Sequence, residues 1–408
     1  MQAKQKILNI AVIVAALGYL VDIYDLVLFT IVRVKSLKEL GLSPIDIENK
    51  GMILLNIQMI GMLIGGLFWG ILGDKKGRIS VLFGSIIMYS LANILNGMVQ
   101  TIDQYYILRF IAGFGLAGEL GAGITLVSEI MTKENRGWGT TIVATVGVFG
   151  AVIAGLVFKI SGGDWRLCYY IGGGLGFLLL FLRIGIFESG LFGKLKDTSV
   201  KKGHLSLIFS NPKSLSKYIK CIFMALPTWF TIGIIVSFSF EFAPLQGIVG
   251  VKDASEPIIC CYIGITIGDF LSGLLSQLFK TRRKIMLLFL GFSFFTILWF
   301  YFIQGYTPLM YNIYFIILGI SVGFWAIMVT IAAESFGTNI RATVTTTVPN
   351  FVRGSLVLIT ILYKGLQHYG IEKLTSVLIT GLLCVTISML MAWFSEETYG
   401  KDLDYLEG

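Results

Sequence analysis

Twelve runs of apolar residues, each long enough to cross a bilayer, constrain this chain more than anything else in it. They lie at 7–32, 51–72, 79–100, 104–131, 138–160, 166–187, 218–241, 257–279, 285–303, 308–333, 342–364 and 373–395. A hydrocarbon core about 30 Å thick needs roughly 20 residues of helix. Lipid offers no partner to backbone N–H and C=O groups, so each run must satisfy them internally, as a helix does. The fold class expected is an all-α membrane protein with twelve transmembrane helices. Composition agrees. Only 14% of the 408 residues are charged, against roughly 25% in soluble domains.

Several function classes fall away at once. There is no Gly-rich phosphate loop ending in Lys-Ser/Thr and no nucleophile constellation, so an enzyme is not expected, nor a cofactor. Cys168, Cys221, Cys260, Cys261 and Cys384 show no metal-ligand spacing and read as small core residues. The net charge of +8 is explained by cytoplasmic loops rich in Lys and Arg rather than by nucleic acid.

Those loops set the topology. Residues 73–78, 132–137, 188–217 and 280–284 hold most of the short-loop Lys and Arg, and all lie on one side if both termini are cytoplasmic. Lys4 and Lys6 precede the first run and no small-residue cleavage site follows it, so a removable signal is not expected. No Asn-x-Ser/Thr sequon occurs, which points to a bacterial inner membrane. Residues 188–217 read as a basic cytoplasmic linker between an N-terminal six-helix bundle, 1–187, and a C-terminal one, 218–395. A cytoplasmic tail, 396–408, follows.

The two halves repeat. Glu129 and Arg136 recur as Glu334 and Arg341, and Thr140-Thr141 as Thr345-Thr346, all at an offset of 205. Parallel six-helix repeats are a transporter architecture with the substrate site near the midplane. GDKKGR after the second run resembles the loop signature of the major facilitator superfamily. RFIAGFGLAGELGAGITLVSE resembles its fourth-helix signature, in the form of the sugar-porter and metabolite:proton symporter branches. ESFGTNIRAT resembles the second-half Glu–x(6)–Arg signature. The paired glutamines of sugar porters are missing from ALPTWFTIGIIVSF, and Ser335-Phe336-Gly337 replaces their Pro. The resemblance implies a cytoplasmic gate of breakable ion pairs, carried by Asp74, Arg78, Glu129, Arg136, Glu334 and Arg341. Arg282, Arg283 and Lys284 read as orientation charges.

Ionisable residues inside the spans are functional candidates by default. Asp22 and Asp25 stand three apart in the first helix, on one face. Arg109 of the fourth helix is the expected partner of Asp25, and the resemblance places an acid and an Arg at those two positions. Asp22 or Glu119 is the expected relay; a static pair fixing helix register is the other reading. Arg353 is the expected substrate residue. It lies about twelve residues beyond Arg341, hence near mid-membrane, with Asn350 one turn before it and Pro349 loosening the helix. A guanidinium fork matches a carboxylate bidentately. Asp269 is the acid that could compete for it. Tyr24, Trp229 and Trp325 are expected to line the cavity.

The function expected is proton-coupled uptake of a small organic anion of carboxylate type, by alternating access of a monomer. A sugar or polyol:proton symporter and a proton-antiport exporter are the alternatives. The fifth run, TTIVATVGVFGAVIAGLVF, lacks the Pro of exporter signatures.

Overall fold

The computed structural model describes residues 10–131, 136–188, 208–209, 211–251, 253–337 and 340–401. Most of the expected linker and the last tail residues therefore lie outside the described residues. The first half of the chain gives α1 (Ile10–Glu39), α2 (Pro44–Lys76), α3 (Arg78–Asn96), α4 (Ile102–Leu116), α5 (Glu119–Ile130), α6 (Arg136–Val148), α7 (Gly150–Ile160) and α8 (Trp165–Glu188). The second half opens with α9 (Pro212–Phe223), α10 (Leu226–Phe230), a π-helical segment (Thr231–Val236) and α11 (Ser239–Phe242). It continues with α12 (Ser255–Leu278), α13 (Arg283–Phe302), α14 (Pro308–Val322), α15 (Trp325–Ser335), α16 (Arg341–His368) and α17 (Lys373–Trp393).

Among the described residues, ten helical stretches are long and apolar enough to cross a membrane, including Val12–Glu39, Pro308–Ser335 and Thr343–His368. The two other expected spans are helical but fall short of that measure. Ser80–Asn96 is shorter, and the fourth run is interrupted at Ala117-Gly118 between α4 and α5. Large apolar side chains such as Leu178, Phe181, Phe295 and Leu358 stand exposed on the helix exteriors, the arrangement a lipid solvent requires.

Local chemistry explains the helix starts. Ser43 accepts the amide of Asp46 ahead of Pro44 in α2, and Thr101 with Gln104 forms a capping box on α4. Both supply partners for amides the helix leaves unpaired. The first helix runs past the expected end at 32, to Glu39. Nothing in VRVKSLKE breaks a helix before Gly41, which takes a φ of 82°.

Breaks are as informative as helices. α4 and α5 part at Ala117-Gly118, and α14 and α15 at Gly323-Phe324. α10 begins with Pro227 near its N-terminus and passes into the π segment. Isolated π turns are rare and recur at functional sites. α16 continues through Pro349, although proline removes one backbone bond there.

Close backbone contact sets the register between neighbours. α2 packs on α4 and on α16, and α6 and α7 pack on α12. A Cβ at Gly113 would lie 2.2 Å from the Gln58 carbonyl oxygen. Only glycine lets α2 and α4 meet at that point. Gly113→Ala should therefore lower the thermal midpoint in detergent, since overpacking costs about 1–3 kcal/mol. An unchanged melt would contradict so tight an approach.

Candidate functional site

The centre of the molecule holds a guanidinium. Arg353 on α16 is 1% exposed, and its Nη2 lies 3.7 Å from Asp22 Oδ2 of α1. The pair joins the first half of the chain to the second. Arg353 Nη1 also donates to Asn350 Oδ1 at 3.3 Å. Asn350 in turn donates to the Ala117 carbonyl at 2.8 Å, so it takes up an acceptor at the α4–α5 break. The guanidinium carbon stands 5.9 Å from the Trp229 ring and 5.7 Å from the Trp325 ring. These rings meet edge-on, with centroids 6.4 Å apart.

Each side chain is placed by a feature of its own helix. Trp229 sits just after Pro227, before the π segment. Trp325 opens α15 directly after the Gly323-Phe324 break. Asp269 of α12 accepts the Ala326 amide at 3.1 Å and thereby caps α15. The expected competition of Asp269 for Arg353 is not observed; the helix end claims this acid.

The site is rich in unused polar groups. Arg353 Nε and Nη2, the indole nitrogens of Trp229 and Trp325, and both Asp22 oxygens are buried without hydrogen-bond partners. Buried polar groups usually have one. Such a set can receive an anion carrying an apolar ring. A small void of about 10 Å³, roughly one water, lies on another face of Trp229, lined by Leu26, Thr30, Tyr262 and Leu356.

A second polar cluster lies within α1, α2, α3, α4 and α8. The expected Asp25–Arg109 pair is not formed. Arg109 Nη2 donates instead to Gln58 Oε1, and the guanidinium lies 5.1 Å from the Phe29 ring. The cause is the Gly113 contact. Gly113 is one turn beyond Arg109 and presses on the Gln58 backbone, which brings the Gln58 amide beneath the guanidinium. Asp25 faces Gly172 of α8, next to Tyr24. Both Asp25 oxygens are buried without a hydrogen-bond partner. Tyr24 donates to the Cys168 carbonyl at 2.9 Å. It therefore belongs to this cluster and not, as expected, to the cavity at Arg353.

Glu119 has a partner that the sequence reading passed over. Arg183 of α8 grips it at both oxygens, Nη1 lying 3.1 Å from Oε2. The two are 1% and 4% exposed. Arg183 stands alone in FLLLFLRIGIF, so the rule that singled out Arg353 would have found it. Arg33 is also buried. It pairs with Glu241 at 2.5 Å and stacks 4.4 Å from the Phe238 ring.

Apart from Asp22–Arg353, the ionic contacts between the two halves seen among the described residues gather at one set of helix ends. Beside Arg33–Glu241 stand Lys159–Glu256 at 2.9 Å, Lys364–Glu48 at 3.2 Å and Lys373–Glu48 at 2.8 Å. At the opposite ends Thr140 meets Thr330 at 3.1 Å, and α16 packs on glycines of α2. The side chains of Asp74, Arg78, Glu129 and Arg136 lie outside those described. Glu334 pairs with Arg282 at 3.3 Å, so Arg282 is a buried partner and not only an orientation charge. Arg341 donates to the Phe336 carbonyl at 3.4 Å.

The Major Facilitator Superfamily profile matches residues 8–358. The chain belongs to that superfamily. NiaP of Bacillus subtilis (strain 168), named for niacin and nicotinamide transport, is 25% identical over 399 residues, 94% of this chain and 96% of that protein. The benzoate transport protein of Acinetobacter baylyi (strain ATCC 33305 / BD413 / ADP1) is 30% identical over 201 residues, 47% of this chain and 42% of that protein. The proton:xylose symporter XylE, solved with 6-bromo-6-deoxy-D-glucose, aligns at a TM-score of 0.74 and 17% identity, covering 96% of this chain and 97% of that one. That likeness shows the fold alone. This major facilitator is a multi-pass membrane transporter of a small molecule, and not an enzyme.

Just after α17, residues 397–398 fasten the chain to the Arg282–Glu334 pair. Thr398 donates to Glu334 Oε2 at 3.0 Å. Burial by itself would raise the Glu397 carboxyl, but bonds from the Thr281 hydroxyl and the Arg282, Tyr399 and Arg283 amides outweigh it and hold it below 4.5. A lowered carboxyl stabilises docking fully above that ordinary value and loses the contribution as pH falls below it. A fluorophore on Lys401→Cys should gain mobility as pH falls from about 7 to about 3. Constant anisotropy would contradict the docking.

Proposed function

We propose that this chain takes up a small aromatic or heteroaromatic carboxylate together with protons. The reading uses two pseudo-symmetric bundles of six helices, 1–187 and 218–395, making twelve spans. A cytoplasmic linker, 188–217, joins them, and the monomer keeps both termini in the cytoplasm. The observation that carries the proposal is Arg353, a buried cation between two tryptophans at the meeting of the halves, with donor nitrogens free of hydrogen bonds. A carboxylate answers the fork, and aromatic faces suit a flat ring. The names of NiaP and of the benzoate transport protein agree with that class.

Coupling follows from charge balance. A substrate carboxylate that takes the Arg353 fork displaces Asp22. A buried carboxylate left without its cation is costly, and such a group neutralises. Asp22 then binds a proton as Arg353 binds substrate, and the pair re-forms after release. Asp25 takes part as the second acid of the same helix face. Arg109 with Gln58, and Glu119 with Arg183, hold the surrounding helices in register. With the termini inside, the Arg33, Lys159 and Glu48 ion pairs form the outer closure. The repeated residues Glu129, Arg136, Glu334 and Arg341 serve the cytoplasmic gate with Asp74 and Arg78, and Glu334 is held there by Arg282. Opening on either side breaks one set while the other stays closed.

Arg353→Gln should weaken benzoate binding on the order of 10- to 100-fold, the worth of a charged hydrogen bond of about 1.5–3 kcal/mol. Arg353→Lys should recover little, because an ammonium keeps the charge but not the fork. Titration calorimetry on the detergent-solubilised protein makes the measurement. Affinities within twofold of the parent protein would refute the assignment.

A further inference from the structure

Asp269 holds one oxygen in reserve. Its Oδ1 accepts the Ala326 amide at 3.1 Å, which accounts for its place at the start of α15. Its Oδ2 is buried and has no hydrogen-bond partner, and the residue is 0% exposed. The amides of Trp325 and Ala326 both bear on this carboxylate at the start of α15, yet Oδ2 makes no hydrogen bond of its own. A buried carboxylate oxygen left unpaired carries a desolvation cost.

The helix start that Asp269 caps carries one ring of the Arg353 site. Ala326 adjoins Trp325, whose ring faces the Arg353 guanidinium. The Tyr19 side chain of α1 lies within electrostatic reach of Arg353, Asp22 and Asp269 alike. Close contact of Gly323 with the Gly268–Asp269 backbone brings α12 against the α14–α15 break. The site thus has a cationic pole at Arg353 and a separate acceptor at Asp269, with two tryptophan rings beside it.

We infer that Asp269 is a specificity-determining residue that accepts a hydrogen bond from a donor on the substrate ring. The inference rests on the carboxylate reading of Arg353 and narrows it. The favoured substrate is an aromatic acid that also carries a hydroxyl, amino or protonated ring-nitrogen group away from its carboxylate. An unsubstituted ring leaves Oδ2 unpaired and binds less well. A site built to bond a donor discriminates strongly against analogues that lack it.

Asp269→Asn separates the two duties of this side chain. Asparagine keeps an oxygen for the Ala326 amide, so the start of α15 is retained, and replaces the second oxygen by an N–H donor. Titration calorimetry of the full chain in detergent would compare benzoate, 3- and 4-hydroxybenzoate, 3- and 4-aminobenzoate and pyridine-3-carboxylate. The parent protein should favour at least one hydroxy or amino acid over benzoate by about tenfold or more. In Asp269→Asn that preference should vanish while benzoate stays within about twofold, and pyridine-3-carboxylate should gain, since its ring nitrogen accepts the new donor. Equal binding of benzoate and all four substituted acids by the parent overturns the inference and leaves the Arg353 reading standing. A uniform loss across the panel in Asp269→Asn, with a lowered melting temperature, assigns Asp269 to structure alone and also overturns it. Failure of every aromatic acid to bind the parent overturns both readings together.

Discussion

A guanidinium buried between the two halves of the chain is the constraint on which the rest of this structure turns. Charge taken out of water costs several kcal/mol per ion unless a partner and hydrogen bonds repay it. Arg353 is repaid incompletely. Asp22 stands at 3.7 Å, Asn350 accepts one bond at 3.3 Å, and two indole rings supply their faces. Half-met demand of this kind suits a binding site better than a structural pair. Glu119 and Arg183 show the contrast, because there both carboxylate oxygens are occupied.

The helix interruptions make sense around that charge. The α4–α5 break offers the Ala117 carbonyl to Asn350. The α14–α15 break presents Trp325 and the amide that Asp269 caps. Pro227 and the π segment set Trp229. Irregular backbone is tolerated at membrane depth only where protein or a cavity covers it, and here three such places attend one side chain. Ionic contacts at one set of helix ends, with small-residue packing at the other, give the two halves closures of different chemical kind.

Much of this was legible in the sequence, for a physical reason. An ionisable residue in an apolar run is conspicuous, so Arg353, Asp22, Asp25, Arg109 and Glu119 stood out, as did Trp229 and Trp325. Pairing was the part that stayed hidden. Arg109 takes Gln58 because Gly113 brings α2 close one turn away, a consequence of helix registry that spacing along one helix does not encode. Asp269 serves a helix start that appears only once the tenth run breaks. Arg282 reads as an orientation charge in the sequence because it lies at a span edge, where hydropathy cannot say whether a helix continues or folds back. Arg183 differs: a lone cation in FLLLFLRIGIF carries the same signal as Arg353.

The account stands on one exchange, in which a substrate carboxylate takes Arg353 and Asp22 takes a proton. Proton uptake on binding measures it directly. Benzoate added to the purified protein in weakly buffered solution with a pH indicator should remove about one proton from solution per ligand bound, from the neutralisation of one displaced carboxylate. Asp22→Asn should bind benzoate with no such uptake. Binding without proton uptake in the parent protein, or equal uptake in Asp22→Asn, would contradict the exchange.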